Sequence, residues 1–187
     1  MILESLAPLD AALLPPGVRS RFVDGINGLR MHLLEAGHAT PGRPVVLLLH
    51  GFPELAYSWR KLMPALAAAG FHAIAPDQRG YGRSTGWDER YDGDLASYRM
   101  LNLVRDALGL VMALGHREVA AVVGHDFGAP VAAWCALLRP AAAAVRHREP
   151  PGRAAGTGGA RRAGRATGPK RCAAGPPPSW RGCRPTT

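Results

Sequence analysis

The chain has 187 residues, enough for one ordinary domain and too few for two full ones. Apolar residues make up 47% and charged residues 20%, which excludes a fibrous or wholly disordered chain. The formal charge of +9 first suggests a polyanionic partner, but residues 1–145 hold 13 basic and 13 acidic side chains, so the excess belongs entirely to residues 146–187.

The first segment, MILESLAPLDAALLPPG, has no basic start, and Glu4 and Asp10 interrupt its apolar run, so it does not read as a secretion signal. Residues 1–19 are taken as an extension to a domain over residues 20–140. Residues 20–35 predict a hairpin, because Asn27-Gly28 supplies the positive φ values a tight turn needs. Pro44 to Leu49 is apolar without alternation, the pattern of a strand covered on both faces. Trp59, Leu62, Met63, Leu66 and Ala67 recur at helical spacing, and Gly70 is placed to end that helix. Phe71 to Ala75 predicts another strand, followed at Gly80, Gly82 and Gly86 by an irregular loop. Leu101, Val104, Leu108, Val111 and Met112 mark a helix over about residues 97–114 that Gly115 stops. Glu118 to Val123 predicts a further buried strand, and Ala129 to Leu138 a helix with Pro130 in its tolerant first turn. Strands and helices alternate through short loops, so an α/β fold with a mostly parallel sheet flanked by helices is expected.

From Arg146 onward there is no Leu, Ile, Val, Met, Phe or Tyr, and Arg, Gly, Ala and Pro supply 31 of the 42 residues. Such a segment cannot bury enough apolar area to offset the entropy of ordering its backbone, so residues 141–187 are expected to be a disordered basic tail. With Trp180 its only aromatic and no amphipathic period, it makes a poor nucleic-acid-binding segment. Cys135, Cys172 and Cys183 form no CxxC and lack histidines at ligand spacing, so neither a metal nor a disulfide framework is expected. No stretch of about 18 uninterrupted apolar residues predicts a membrane span. A cytoplasmic setting and no cofactor are the simplest expectations.

Two motifs carry chemistry. Gly124-His125-Asp126-Phe127-Gly128 lies between a predicted strand and a predicted helix, the arrangement of a nucleophile elbow. Only small flanking residues fit so tight a turn, and the helix N-terminus favours negative charge on the central side chain. With Asp126 at the centre, a carboxylate could attack an sp3 carbon and form an alkyl ester that water must then cleave. A helix-capping role is the plainer alternative for Asp126. His125 is expected to be structural, because neighbouring residues at a strand end point to opposite sides. The second motif, His50-Gly51-Phe52-Pro53-Glu54, directly follows the strand that ends at Leu49.

Together these motifs resemble the α/β-hydrolase superfamily and, within it, the epoxide hydrolases; Pro76-Asp77-Gln78-Arg79-Gly80-Tyr81-Gly82-Arg83-Ser84 is similar to that family's loop after the fourth strand. The resemblance covers about residues 20–140. It implies Asp126 as nucleophile, the backbone N–H groups of Phe52 and Phe127 as oxyanion hole, and His50, Gly51, Pro53, Gly124, His125 and Gly128 as supporting residues. It implies a small-molecule epoxide as substrate. Haloalkane dehalogenases also use an aspartate here, but they usually carry Asn and Trp where this chain has Phe52 and Phe127, to bind the leaving halide.

The family's base histidine, its acid partner and two cap tyrosines come late in the chain, and no residue here matches them: the last histidine is His147 and the last tyrosine Tyr98. All four abundant tail residues have GC-rich codons, so a frameshift near residue 141 that replaced the second half is the expected origin of the tail. The strand entering the elbow then becomes an unprotected apolar edge, which is an aggregation hazard. A chain inactive on its own, or a non-catalytic protein binding through its basic tail, are the outcomes this leaves beside an active hydrolase.

Overall fold

The structure is a computed structural model that describes residues 6–139. The expected tail, with His147, Cys172, Trp180 and Cys183, lies outside the described residues. Five strands form one sheet in the order β1-β2-β4-β3-β5, with β1 Val18–Ile26, β2 Leu29–Ala36, β3 Val45–Leu49, β4 His72–Pro76 and β5 Ala121–Gly124. Three helices flank it: α1 Met63–Ala68, α2 Met100–Ala113 and α3 Gly128–Leu138. The expected α/β architecture is present, but the sheet is mixed. The hairpin brings β1 and β2 in antiparallel, β2 joins β4 antiparallel, and only β4-β3-β5 run parallel.

Local chemistry accounts for these elements. Asn27 and Gly28 turn the hairpin at φ 50° and 85°, both in the left-handed region that such turns demand. In β3 all five residues are buried, and alternation sends them to opposite faces. Val45, Leu47 and Leu49 join Val104, Leu110, Val111, Val131 and Cys135 beneath α2 and α3, whereas Val46 and Leu48 join Val18, Leu34 and Met63 on the α1 side. Two cores on one strand are what its unbroken apolar run requires. Cys135 is buried in α3, and that burial pushes its thiol up to about 11.

Three elements differ from expectation. A domain boundary at residue 20 would cut β1, which starts at Val18; Leu9 and Leu14 pack on the core, and the Leu9 N–H donates to Ser20 Oγ at 2.8 Å. The helix expected from residue 97 is split at Arg99, whose extended backbone (ψ 146°) separates a 3-10 turn over Leu95–Tyr98 from α2. The buried face of α2 is Val104, Ala107, Leu110 and Val111, while Leu101 and Met112 point outward at 56% and 70% exposure. The strand expected from Glu118 pairs as a ladder only from Ala121, and it is half-buried rather than buried. The reason is its position: among the described residues no strand pairs with its far side, and Val123 stays 38% exposed.

The loop after β4 is locked to α2 by a buried ion pair that the hairpin turn joins through Asn27. Arg79 Nε donates to Asp106 Oδ2 at 2.8 Å and its Nη2 to Oδ1 at 2.8 Å, while Asn27 Nδ2 also donates to Oδ1 at 2.7 Å. Burial disfavours the Arg79 charge, but the hydrogen bonds to Asp106 prevail and hold the guanidinium above its ordinary value. Asp106→Ala strands a buried guanidinium and is expected to lower unfolding free energy by roughly 3–5 kcal/mol, read as the denaturant midpoint. The open edge of β5 is expected to drive concentration-dependent self-association by sedimentation velocity, and Val123→Lys to suppress it. Equal sedimentation of the two proteins at high concentration would show that the edge is not the sticking surface.

Candidate active site

β3 and β5 are neighbours in parallel register, with Leu49 opposite Gly124, so the loops that follow them leave the sheet at the same height. Those loops are the two motifs. After Leu49 comes His50-Gly51-Phe52-Pro53, with a cis peptide between Phe52 and Pro53; after Gly124 come His125, Asp126 and Phe127, leading into α3.

Asp126 has φ 48°, one of two non-glycine residues with positive φ among the described residues. That conformation is costly for most side chains and tolerated by aspartate, and it is the sharp bend an elbow needs. The bend is closed by backbone bonds from Gly128 N–H to the His125 carbonyl at 2.8 Å and from Ala129 N–H to the Asp126 carbonyl at 3.0 Å. Space explains the glycines. A Cβ on Gly124 would collide with the backbone of Gly128, and one on Gly128 with the carbonyls of Leu49 and His50. A Cβ on Gly51 would overlap Asp126 Cβ and lie 2.6 Å from Asp126 Oδ1.

Without that Cβ the two loops meet. The backbone N–H of Phe52 donates to Asp126 Oδ1 at 2.9 Å. This bond, and then the N–H of Phe127, hold the carboxyl below its ordinary value. Asp126 is exposed, as are the rings of Phe52 and Phe127 at 65% and 63%. The arrangement presents an ionised carboxylate with Oδ1 held by the Phe52 N–H, between two aromatic rings that offer no polar donor.

His50 sits beneath this contact, fully buried. Its Nε2 accepts from the Gln78 N–H at 3.0 Å, so Nδ1 carries the proton and donates to the Gly51 carbonyl at 2.9 Å. Burial lowers its proton affinity, keeping the ring neutral. Gln78 Nε2 also donates to the His50 carbonyl, and Tyr81 packs edge-on against the ring at 5.0 Å. His125 stands away from the core with its side chain 61% exposed, 3.5 Å from Glu54 of the facing loop.

One supporting network is absent from the sequence expectations, which gave His32 no role. His32 is buried in β2, its Nδ1 2.7 Å from Asp77 Oδ2 and its Nε2 2.7 Å from Ser20 Oγ. Asp77 accepts further bonds from the N–H groups of Ala56 and Arg83. Burial alone would raise the Asp77 carboxyl, but the His32 and backbone hydrogen bonds outweigh it and hold it below the ordinary range. The network fixes the start of the loop whose next residue, Gln78, grips His50. The signal was the Asp77–Ser84 loop itself: Ser84 Oγ accepts from the His32 N–H and donates to the Asp77 carbonyl. Among the described residues no group of three His, Cys, Asp or Glu side chains is placed to hold a metal, and no helix is long and apolar enough to cross a membrane.

Residues 44–146 match the α/β hydrolase fold family. Epoxide hydrolase A of Mycobacterium tuberculosis is 51% identical over 118 residues, which is 63% of this chain and 34% of that protein. Epoxide hydrolase 3 of Siraitia grosvenorii is 46% identical over 114 residues, 61% of this chain and 33% of that protein. Among solved structures, an epoxide hydrolase from an endophytic Streptomyces matches with a TM-score of 0.58 at 50% identity, over 67% of this chain and 35% of that one. Epoxide hydrolase A from Mycobacterium thermoresistibile matches with a TM-score of 0.60 at 45% identity, over 67% of this chain and 37% of that one. The match therefore spans about a third of the length of each relative. With more than half of its length matching one family, this chain belongs to the α/β hydrolases and is epoxide hydrolase-like.

Proposed function

We propose that Asp126 is the nucleophile of an epoxide-opening half-reaction, in which its free oxygen attacks an epoxide carbon while the oxygen held by Phe52 becomes the ester carbonyl. The carbon–oxygen bond of the epoxide breaks as the new carbon–oxygen bond forms, and the released alkoxide takes a proton from water. The observation that carries this reading is the 2.9 Å bond from the Phe52 N–H to Asp126 Oδ1. A helix-capping aspartate would accept from N–H groups of its own helix; this one is held by a loop 74 positions away in the chain. The same donors, with Phe127, would stabilise oxyanion charge when the ester is hydrolysed.

Hydrolysis of the ester needs a base to activate water. Among the described residues, His50 is committed to Gln78 and Gly51, and His32 to Asp77 and Ser20. Neither is free for that task. His38, His72 and His116 belong to the opposite end of the sheet, and the exposed His125 leans on Glu54 of the facing loop at 3.5 Å, so the chain is proposed to alkylate once and stall. The residues after about 141 are proposed to be read out of frame, on the grounds of their composition. Translating the locus in its two other frames tests this, and the absence there of apolar strands, a late histidine and tyrosines would count against it.

The Phe52 and Phe127 side chains provide no N–H to bind a halide, so the dehalogenase reading has no support in the site. Binding through the basic tail rests on residues outside those described and predicts salt-sensitive binding lost on deletion of residues 146–187.

Incubation with a reactive epoxide, followed by peptide mass spectrometry, is expected to show a stable adduct on the Asp126 peptide that Asp126→Asn abolishes. Sustained diol formation would instead show that a working base is present, and an unmodified Asp126 peptide would remove the nucleophile reading altogether. Gly51→Ala, which pushes a methyl group onto Asp126, is expected to slow adduct formation about 100-fold or more while Asp126 remains in place. Because the Phe52 and Phe127 N–H groups lower the Asp126 proton affinity, the carboxyl is ionised throughout the neutral range. The alkylation rate is accordingly expected to stay level from about pH 8 down to about pH 5, and to fall only below the ordinary carboxylate range.

A further inference from the structure

The network that supports the loop after β4 also has the composition and order of a nucleophilic triad. Ser20 Oγ lies 2.7 Å from His32 Nε2, and His32 Nδ1 lies 2.7 Å from Asp77 Oδ2. Burial favours the neutral form of the Asp77 carboxyl, but the bonds from His32 and from the Arg83 and Ala56 N–H groups outweigh it, so the group is a carboxylate and can only accept. Nδ1 therefore donates, and in the neutral ring Nε2 is left as an acceptor. Ser20 Oγ itself accepts from the Leu9 N–H at 2.8 Å, so its own proton is the one aimed at Nε2. Hydroxyl, imidazole and carboxylate thus stand in the series through which a histidine takes a seryl proton, a constellation recognised by geometry rather than by chain order.

A separate observation points to a ligand. A cavity of about 370 Å³ opens beside these residues, walled by Leu9, Leu13, Leu55 and Tyr57 and reached by His32 and Arg83. Small-molecule sites span roughly 300–1,000 Å³, so the space suits a small ligand. Both groups that hydrogen-bond Ser20 Oγ, the His32 ring and the Leu9 N–H, belong to residues of that lining, and Ser20 is only half-buried. Tyr57 spends its hydroxyl on the Leu13 carbonyl, and Arg83 uses Nη1 on the Ala7 carbonyl. The walls therefore offer apolar surface and one cation. Phe52, Asp126 and Phe127 do not line this cavity, so it is distinct from the nucleophile elbow.

We propose that Ser20, His32 and Asp77 form an esterase site separate from Asp126, which cleaves small apolar carboxylic esters. Ser20 Oγ bonds to the ester carbonyl carbon as its proton passes to His32 Nε2. The bond from that carbon to the alcohol oxygen then breaks, and the alcohol leaves with the proton. Water attacks the acyl group and gives a proton to Nε2; a carboxylic acid departs, and the proton returns to Ser20 Oγ. Asp77 is a positioning residue, holding the ring in one tautomer and stabilising the imidazolium formed between the steps. The Leu9 N–H and the Arg83 guanidinium are the donors available for the oxyanion, and the apolar walls take the acyl chain.

Labelling of the intact chain with phenylmethanesulfonyl fluoride, followed by peptide mass spectrometry, tests the site independently of epoxide chemistry. A sulfonyl adduct is expected on Ser20, formed with loss of fluoride, at least about 100-fold faster than on the exposed Ser58. Protein labelled in this way is expected to cleave 4-nitrophenyl butyrate at least about tenfold more slowly than unlabelled protein. With rising pH the Ser20 rate is expected to climb and then level off as its base becomes neutral, whereas a serine without a base climbs throughout. Asp77→Asn is expected to lower that plateau about 100-fold or more while Ser58 keeps its rate. If Asp77→Asn does not fold, the comparison of Ser20 with Ser58 in the unaltered chain still decides. An unlabelled Ser20, labelling no faster than on Ser58, a rate that never levels off, or ester cleavage that survives complete labelling would overturn the proposal.

Discussion

The contact between the Phe52 N–H and Asp126 Oδ1 depends on a backbone constraint more than on either side chain. β3 and β5 lie side by side in register, and each ends in a turn too tight for a Cβ at its crucial position. Gly51 lets one loop approach the aspartate, and Gly124 and Gly128 let the other bend so sharply that Asp126 takes a left-handed backbone. What is gained is a carboxylate with one oxygen pinned and charged, aimed away from the sheet at a helix N-terminus that favours negative charge.

That placement is supported from well behind the reacting atoms. Ser20 and His32 fix Asp77, Asp77 fixes the loop start, Gln78 grips His50, and His50 donates to Gly51, the residue before the Phe52 donor. Every bond in this series is buried or half-buried, so water does not compete for it, and a group left without its partner costs more than the bond itself contributes. Removing His32 would thus disturb the His50–Pro53 loop, to which it makes no hydrogen bond of its own.

Much of this was legible in the sequence, for identifiable reasons. The unbroken run of β3 announced a strand covered on both faces, Asn27-Gly28 announced the hairpin, and the glycine-spaced Asp126 motif announced the elbow. The spacing of Leu101, Val104, Leu108, Val111 and Met112 announced the α2 helix but not its inner face, because Leu101 and Met112 fit helical spacing equally well; only the packing of the sheet selects Val104, Ala107 and Val111. His32 was silent because its partner, Asp77, lies 45 positions away, and one imidazole in a strand carries no periodic signal.

The most direct measurement of the central claim is a crystal structure of the chain after reaction with a small epoxide. The account predicts continuous density from Asp126 Oδ2 to a substrate carbon, with the ester carbonyl oxygen still within hydrogen-bond reach of the Phe52 and Phe127 N–H groups. Density attached instead to His125, or an ester carbonyl turned away from both donors, would contradict it.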